Sequence, residues 1–137
     1  MIADIPAGWN IDPRLTKVLG VEVQYAGPKS WPQEYGPRLG WYLPDGPVRL
    51  RLREWERIDR TLQGKYAPSF YTARAWHTLA HEYAHRMLGA PGRGTVRHPK
   101  ADKLGLRVMP WLMSQAGIPP EQVNKYVAIL KRNGWAE

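Results

Sequence analysis

The sequence predicts an α+β fold, in which a small antiparallel sheet of about three strands packs on about four helices. Two observations support this prediction. Proline and glycine recur from residue 27 to residue 47 and divide the first part of the chain into short strands and turns. Residues 54–137 instead contain long stretches with helical periodicity. We therefore expect one domain over residues 1–137, with residues 1–53 forming mainly strands and turns and the remainder mainly helices.

Three short runs of β-branched and aromatic residues are the predicted strands, and they cover residues 21–25, 40–43 and 48–53. The last two runs are joined by Leu43-Pro44-Asp45-Gly46-Pro47-Val48, in which Asp-Gly supplies the turn chemistry of a hairpin. These two runs should therefore pair as antiparallel neighbours.

The run from Val48 to Arg53 alternates between aliphatic residues and the arginines Arg49, Arg51 and Arg53. This alternation predicts one buried face and one basic face. The three arginines are candidates for substrate or partner binding. The alternative is that they protect an exposed edge strand from aggregation, a common use of charge on such strands.

Four helices are predicted in the second part of the chain. The first ends before Gly64, and the second follows Ser69, a favourable N-cap residue. The third begins at a proline, which is favoured at the first helical position, and continues despite Pro110. The predicted ranges are Leu52 to Gln63, Phe70 to Leu88, Pro99 to Ala116, and Pro119 to Arg132.

The composition excludes several classes of protein. With no cysteine among 137 residues, a disulfide-stapled module and a cysteine-ligated zinc finger are both impossible. The N-terminal residues lack the basic and apolar regions of a secretory signal, and no apolar run approaches the roughly 18 residues of a membrane span. We expect a cytoplasmic protein with no membrane partner.

The formal net charge of +8 is concentrated in the middle of the chain. Net charge is −1 over residues 1–46, +8 over residues 47–107 and +1 over residues 108–137. A concentrated positive surface attracts polyanions or an acidic protein face. A solvated, arginine-rich surface without a partner is the alternative.

The most specific motif is His81-Glu82-Tyr83-Ala84-His85, an HExxH sequence inside the predicted helix from Phe70 to Leu88. Histidines four residues apart lie on one face of a helix, one turn above each other, so both imidazoles can reach one metal ion. Glu82 points about 100° around the helix from His81, where it can act on a water molecule rather than ligate the metal. The motif therefore predicts a metal site, although a polar helix face can also spell it by chance.

Spacing predicts different roles for the other two histidines, His77 and His98. The apolar residues Trp76, Leu79 and Ala80 project on one side of the helix, and His77 projects on the opposite side with His81 and His85. Three ligands in line cannot form a tetrahedron, so His77 is expected to be exposed or to support a ligand. His98 follows a glycine-rich turn that can bring it back as the third ligand, and Asp102, one turn later, can orient a ligand histidine.

The motif resembles the active-site helix of the zincin metallopeptidases, and the short chain with a few strands before the helix is similar to the minimal SprT-like and IrrE-like families. His98-Pro99-Lys100-Ala101-Asp102 is similar to the ExxAD-type sequence of related families, with His in place of Glu. The resemblance implies zinc held by His81, His85 and His98, with Glu82 as general base. It also implies that substrate binds as an added strand along a sheet edge, for which Val48 to Arg53 is the candidate.

Two functions are therefore expected in different classes. The first is a zinc-dependent peptidase acting on protein or peptide substrates, including acidic or nucleic-acid-associated ones. The second is a non-catalytic basic binding protein on a zincin-like scaffold, such as a phage-encoded regulator of host transcription machinery. Its candidate anchors, each of which could instead be a core residue, are Trp31, Trp41, Trp55, Trp111 and Trp135. Direct nucleic-acid binding would be nonspecific and sensitive to salt, because no recognition motif accompanies the charge.

Overall fold

A computed structural model describes residues 6–43, 45–88 and 99–135. Within these ranges the chain forms four β-strands, five α-helices and one short 3-10 helix. The strands are β1 (Trp9–Ile11), β2 (Val23–Ala26), β3 (Gly40–Tyr42) and β4 (Val48–Arg51). The α-helices are α1 (Pro13–Leu19), α2 (Leu52–Leu62), α3 (Phe70–Leu88), α4 (Pro99–Gln115) and α5 (Pro120–Arg132), and the 3-10 helix is Gln33–Tyr35.

The four strands form one sheet in the order β1-β2-β4-β3. The predicted hairpin is confirmed, since β3 and β4 pair antiparallel and Asp45 takes a positive φ of 58° in the turn. The α+β class is also confirmed, but the sheet is mixed rather than wholly antiparallel, because β2 pairs parallel with β4. The hairpin places β3 on one side of β4, so β2 occupies the other side after a connection that returns the chain to the same direction.

The predicted helices agree closely with α2 to α5 because their ends carry strong local signals. Ser69 caps α3, and its side-chain oxygen accepts a hydrogen bond from the backbone N–H of Thr72 at 3.2 Å. Helix α4 continues through Pro110, as predicted, and Gly117 beyond it adopts a φ of 91°. None of the described helices combines the length and apolarity needed to cross a membrane.

Two elements, β1 and α1, lie in the N-terminal region and were not predicted. Helix α1 begins at Pro13 and is capped by Asp12, whose side chain accepts hydrogen bonds from the backbone N–H groups of Arg14 and Leu15. It ends at Gly20, which has the left-handed conformation typical of a helix C-terminus. The described residues therefore contain five α-helices and four strands, where the sequence predicted about four helices and three strands.

Helix α3 lies at the centre of the fold. Its apolar side chains Trp76, Leu79 and Ala80 are fully buried, as the projection predicted. The opposite side is buried too, since His77 is 3% exposed and His85 is 2% exposed. Exposure, one of the two alternatives expected for His77, is therefore excluded, because the neighbouring elements cover both sides of this helix, and support of a metal ligand by His77 stays a prediction.

Asp12 links α1 to α2 and has a perturbed pKa. Burial alone would raise the pKa of Asp12, but hydrogen bonds from Arg14, from the Leu15 backbone and from Trp55 lower it below its ordinary value of 3.8. The Trp55 indole Nε1–H donates to Asp12 Oδ2 at 2.8 Å. Asp12 is therefore charged in the folded protein and joins the N-terminal helix to the rest of the molecule.

We expect Asp12→Ala to lower the free energy of unfolding by about 2–4 kcal/mol, since it removes a helix cap and two side-chain hydrogen bonds to one carboxylate. Because the folded-state pKa is lowered, the contribution of the Asp12 charge is fully present above pH about 4 and is lost as pH falls through the folded-state pKa. Urea unfolding of wild type and Asp12→Asn from pH 7 to pH 2 measures how much stability the Asp12 charge contributes at each pH. A difference in stability between wild type and Asp12→Asn that does not shrink on acidification would contradict the assignment of this role to the Asp12 charge. Glu56→Gln on the exposed surface of α2 is the control.

Candidate metal centre

Helix α3 brings His81 and His85 together. Their imidazole Nε2 atoms are 2.9 Å apart, and the ring centroids are 4.5 Å apart at an interplanar angle of 83°. This convergence follows from helical geometry, since residues four apart project on the same face and their side chains lean in the same direction. Two nitrogen atoms of the type that zinc prefers therefore lie close together.

The separation of these two nitrogens fits a shared zinc ion. Two ligands 2.0–2.1 Å from a tetrahedral zinc are about 3.3 Å apart. The observed Nε2–Nε2 distance of 2.9 Å needs an opening of only a few tenths of an ångström, which small rotations of the rings supply. The residue types and the separation are compatible with a shared zinc ion, which stays a prediction, and at 2.9 Å the two ring nitrogens are within hydrogen-bond distance of each other.

Aromatic rings pack against the histidines of α3 and fix their orientation. The Tyr42 ring on β3 stacks on the His85 ring, with centroids 5.0 Å apart and planes within 10°. The Trp135 ring, beyond the end of α5, meets His77 edge to face at 4.7 Å. The His77 ring lies 6.0 Å from that of His81, so this side of α3 is a packed histidine face rather than a solvated one.

Glu82 lies against the edge strand β3. A β-carbon placed on Gly40 would be 2.9 Å from Glu82 Cγ and 3.3 Å from Glu82 Oε2. The Glu82 side chain is half-buried, and it contacts the same strand whose Tyr42 stacks on His85. It therefore packs between α3 and β3.

Helix α4 crosses α3 closely at the first histidine of the motif. A β-carbon on Gly105 would be 3.2 Å from the His81 Cα and 3.5 Å from His77 Nε2, so the two helix backbones approach at this point. Asp102 belongs to the same helix, one turn before Gly105. The approach places the first half of α4 beside the histidine face.

The third ligand is not among the described side chains. No group of three or more His, Asp or Glu side chains able to hold a metal occurs in the described part of the chain. His98 and the side chain of Asp102 lie outside the described residues. Their assignment as third ligand and as supporting carboxylate stays a prediction.

Comparisons with protein-family models, with curated proteins and with solved structures each gave no match to this chain. The candidate site is therefore interpreted from its own geometry.

The three predicted binding arginines occupy different positions. Arg49 and Arg51 lie on the face of the sheet opposite α3, whereas Arg53 is in α2, because the strand ends at Arg51 and not at Arg53. The Arg49 guanidinium stacks over Trp9 at 4.4 Å and donates to Gln24 Oε1 and to Tyr35 OH. The arginine ridge is thus divided between a half-buried layer and an exposed helix position, and its role in substrate binding stays a prediction.

Arg51 shows that the half-buried layer is held by the chain itself. Its guanidinium stacks over the Trp31 ring at 4.9 Å and donates to the backbone carbonyls of Arg38 and Gly36. Trp31 belongs to a second, small core on this face of the sheet. The contacts of Arg49 and Arg51 stabilise this layer, a role that the sequence pattern did not indicate.

The five tryptophans proposed as anchors differ in exposure. Trp111 is 45% exposed, whereas Trp31 is buried, and Trp41, Trp55 and Trp135 are half-buried in aromatic contacts. The sequence pattern did not indicate Tyr71, which is 55% exposed and has the guanidinium groups of Arg57 and Arg74 at 5.1 Å and 5.3 Å from its ring centroid. The sequence signal for Tyr71 is the Phe70-Tyr71 pair, which directly follows the helix-capping residue Ser69.

Proposed function

We propose that the protein is a zinc-dependent metallopeptidase that hydrolyses a protein or peptide substrate. The observation that carries the proposal is the 2.9 Å approach of His81 Nε2 and His85 Nε2 on one helix, with Glu82 between them in sequence and beside an edge strand in space. These residue types at this spacing are those needed to bind a hydrolytic metal and to activate water beside it.

His81 and His85 would hold the metal, and His98 is the predicted third ligand. A zinc ion bound there supplies positive charge that acidifies water and polarises a substrate carbonyl. Tyr42 stacks on the His85 ring and holds the plane of the ring beside His81. Burial of His85 excludes water from one side of the pair and preserves this alignment.

Glu82 is the proposed general base. A carboxylate beside the reacting water can accept its proton as the water attacks the peptide carbonyl, and can then deliver that proton to the leaving amine. Glu82 suits this role because it is half-buried and projects about 100° around the helix from His81. Its carboxylate borders β3, where a bound peptide would lie.

The substrate strand is proposed to bind along β3 rather than along the Val48 to Arg53 strand. The earlier candidate edge was wrong, since β4 lies between β2 and β3 inside the sheet. Backbone hydrogen bonds from Arg51 N to Leu39 O and from Leu43 N to Pro47 O direct alternate residues of this strand toward β4. The backbone groups of Gly40 therefore point away from β4, toward the side of β3 where an extended peptide would pair, and because Gly40 is buried such a peptide has to displace what covers it.

We expect the purified protein to cleave an unfolded protein substrate, and a chelator to remove at least about nine-tenths of that activity. Zinc added in slight excess should restore the activity, because the chain would retain its fold and ligands. Cleavage followed by peptide mass spectrometry measures both steps. Activity that survives exhaustive chelation would contradict metal-dependent hydrolysis, and His85→Ala treated in the same way is the control for a contaminating peptidase.

The second candidate function is non-catalytic binding of an acidic partner. The specific observation in its favour is Tyr71, an exposed aromatic ring with two guanidinium groups beside it, both of which pair with Glu54, Arg57 at 2.9 Å and Arg74 at 3.8 Å. Exposed aromatic and arginine side chains are typical of binding hot spots. If this function is the correct one, Tyr71→Ala abolishes the biological effect of the protein and Glu82→Gln leaves it unchanged.

A further inference from the structure

Gly40 on β3 lies against the helix that carries the candidate site. A β-carbon at this position would be 2.8 Å from Thr78 Cγ2, 2.9 Å from Glu82 Cγ and 3.3 Å from Glu82 Oε2. The first two distances are shorter than side chains tolerate without movement. The space that a side chain would fill at residue 40 is therefore occupied by Thr78 and Glu82.

The glycine is not required by the local backbone. Gly40 is a strand residue, and its φ is not among the positive values that favour glycine elsewhere in the chain. An alanine could adopt the same backbone conformation at no steric cost from its own chain. The requirement at residue 40 comes from the contact with α3.

Thr78 and Glu82 cannot both withdraw easily from β3. They are one turn apart on α3, and the Thr78 hydroxyl donates to the backbone carbonyl of Arg74 at 2.9 Å, which fixes its rotamer. On a neighbouring face of α3, about a quarter turn away, the His81 backbone is in close approach to Gly105 on α4. Helix α3 therefore packs on both β3 and α4, so added volume at residue 40 has to displace side chains.

We propose that Gly40 is a positioning residue for Glu82. Because residue 40 has no side chain, β3 lies directly on Glu82 Cγ and limits the directions in which the carboxylate can point. The same strand places Tyr42 on the ring of His85 two residues later. The role of Glu82 as a base rests on the proposed peptidase function, whereas the position of its side chain beside Gly40 does not.

The kinetic test uses Gly40→Ala alone and combined with Thr78→Ser. Serine removes Cγ2 and keeps the hydroxyl, so the double variant relieves the contact with Thr78 and retains the contact with Glu82. We expect both variants to bind zinc as wild type does, with kcat lowered roughly 10- to 100-fold and KM changed by less than about twofold. Full recovery of kcat in the double variant would overturn the proposal, since the effect would then come from Thr78.

Gly27→Ala is the matched control. A β-carbon on Gly27, the residue after β2, would contact only Leu52 Cδ2, at an ordinary 3.8 Å, and no described α3 atom lies within 4 Å of it. We expect this variant to keep wild-type kcat and KM. A loss equal to that of Gly40→Ala would show that glycine replacement beside the sheet is harmful in general and would overturn the specific role of Gly40.

A stability measurement separates this inference from the proposed function. In the Thr78→Ser background, the urea midpoint shift caused by Gly40→Ala should be at least about twice as large with Glu82 present as with Glu82→Ala, because alanine has no Cγ to displace. Equal shifts would overturn the contact between residues 40 and 82. If wild type shows no peptidase activity, the proposed function fails, and this cycle still decides whether Gly40 positions Glu82.

Discussion

Replacing Glu82 with glutamine should lower kcat/KM for peptide hydrolysis by about 10³-fold, with the zinc content unchanged. Glutamine has nearly the same shape as glutamate and can occupy the same space beside Gly40. It cannot accept the proton of the attacking water. The loss should therefore appear in kcat, because the interaction that is removed develops in the transition state.

The control for this prediction is Glu56→Gln. Glu56 is an exposed glutamate on α2, outside the candidate site, and its replacement makes the same change of charge. The rate constants of the two variants are compared by following cleavage of one peptide with mass spectrometry. Glu82→Gln with wild-type turnover would show that Glu82 is not the base and would favour the binding function.

The helices were predictable because their ends depend on local chemistry. Ser69 caps α3 through its own side chain, and Gly117 adopts the positive φ that glycine favours after α4. Such signals act within one turn of the chain, so a single sequence contains them in full. Helix α1 had equivalent signals in Asp12, Pro13 and Gly20, and its short length concealed them.

The strand order could not be predicted because it depends on residues distant in sequence. The Asp-Gly turn specifies that β3 and β4 are neighbours, but no local feature specifies that β2 takes the other side of β4. The three residues of β1 are too few for an alternating pattern to be recognised. The wrong choice of edge strand followed directly from this missing information.

The candidate site was predictable to the extent that it lies on one helix. The approach of His81 and His85 follows from their spacing, whereas the contacts of Tyr42 with His85 and of Gly40 with Glu82 depend on how β3 packs on α3. Burial of His77 likewise arises from packing against Trp135. Helical projection takes no account of the elements that pack around a helix, so it could not show that α3 is covered on both sides.

The central claim is that His81 and His85 hold a zinc ion, and metal analysis of protein purified without chelator tests it most directly. Wild type should contain about one zinc per chain, and His81→Ala should contain less than about a tenth of that amount, because a site left with two protein ligands binds zinc weakly. His98→Ala should lose zinc as well if His98 is the third ligand. His77→Asn should retain it, since the His77 ring packs on Trp135 and its centroid is 6.0 Å from that of His81. Circular dichroism confirms that each variant is folded, and a folded wild type with no more zinc than His81→Ala would contradict the account.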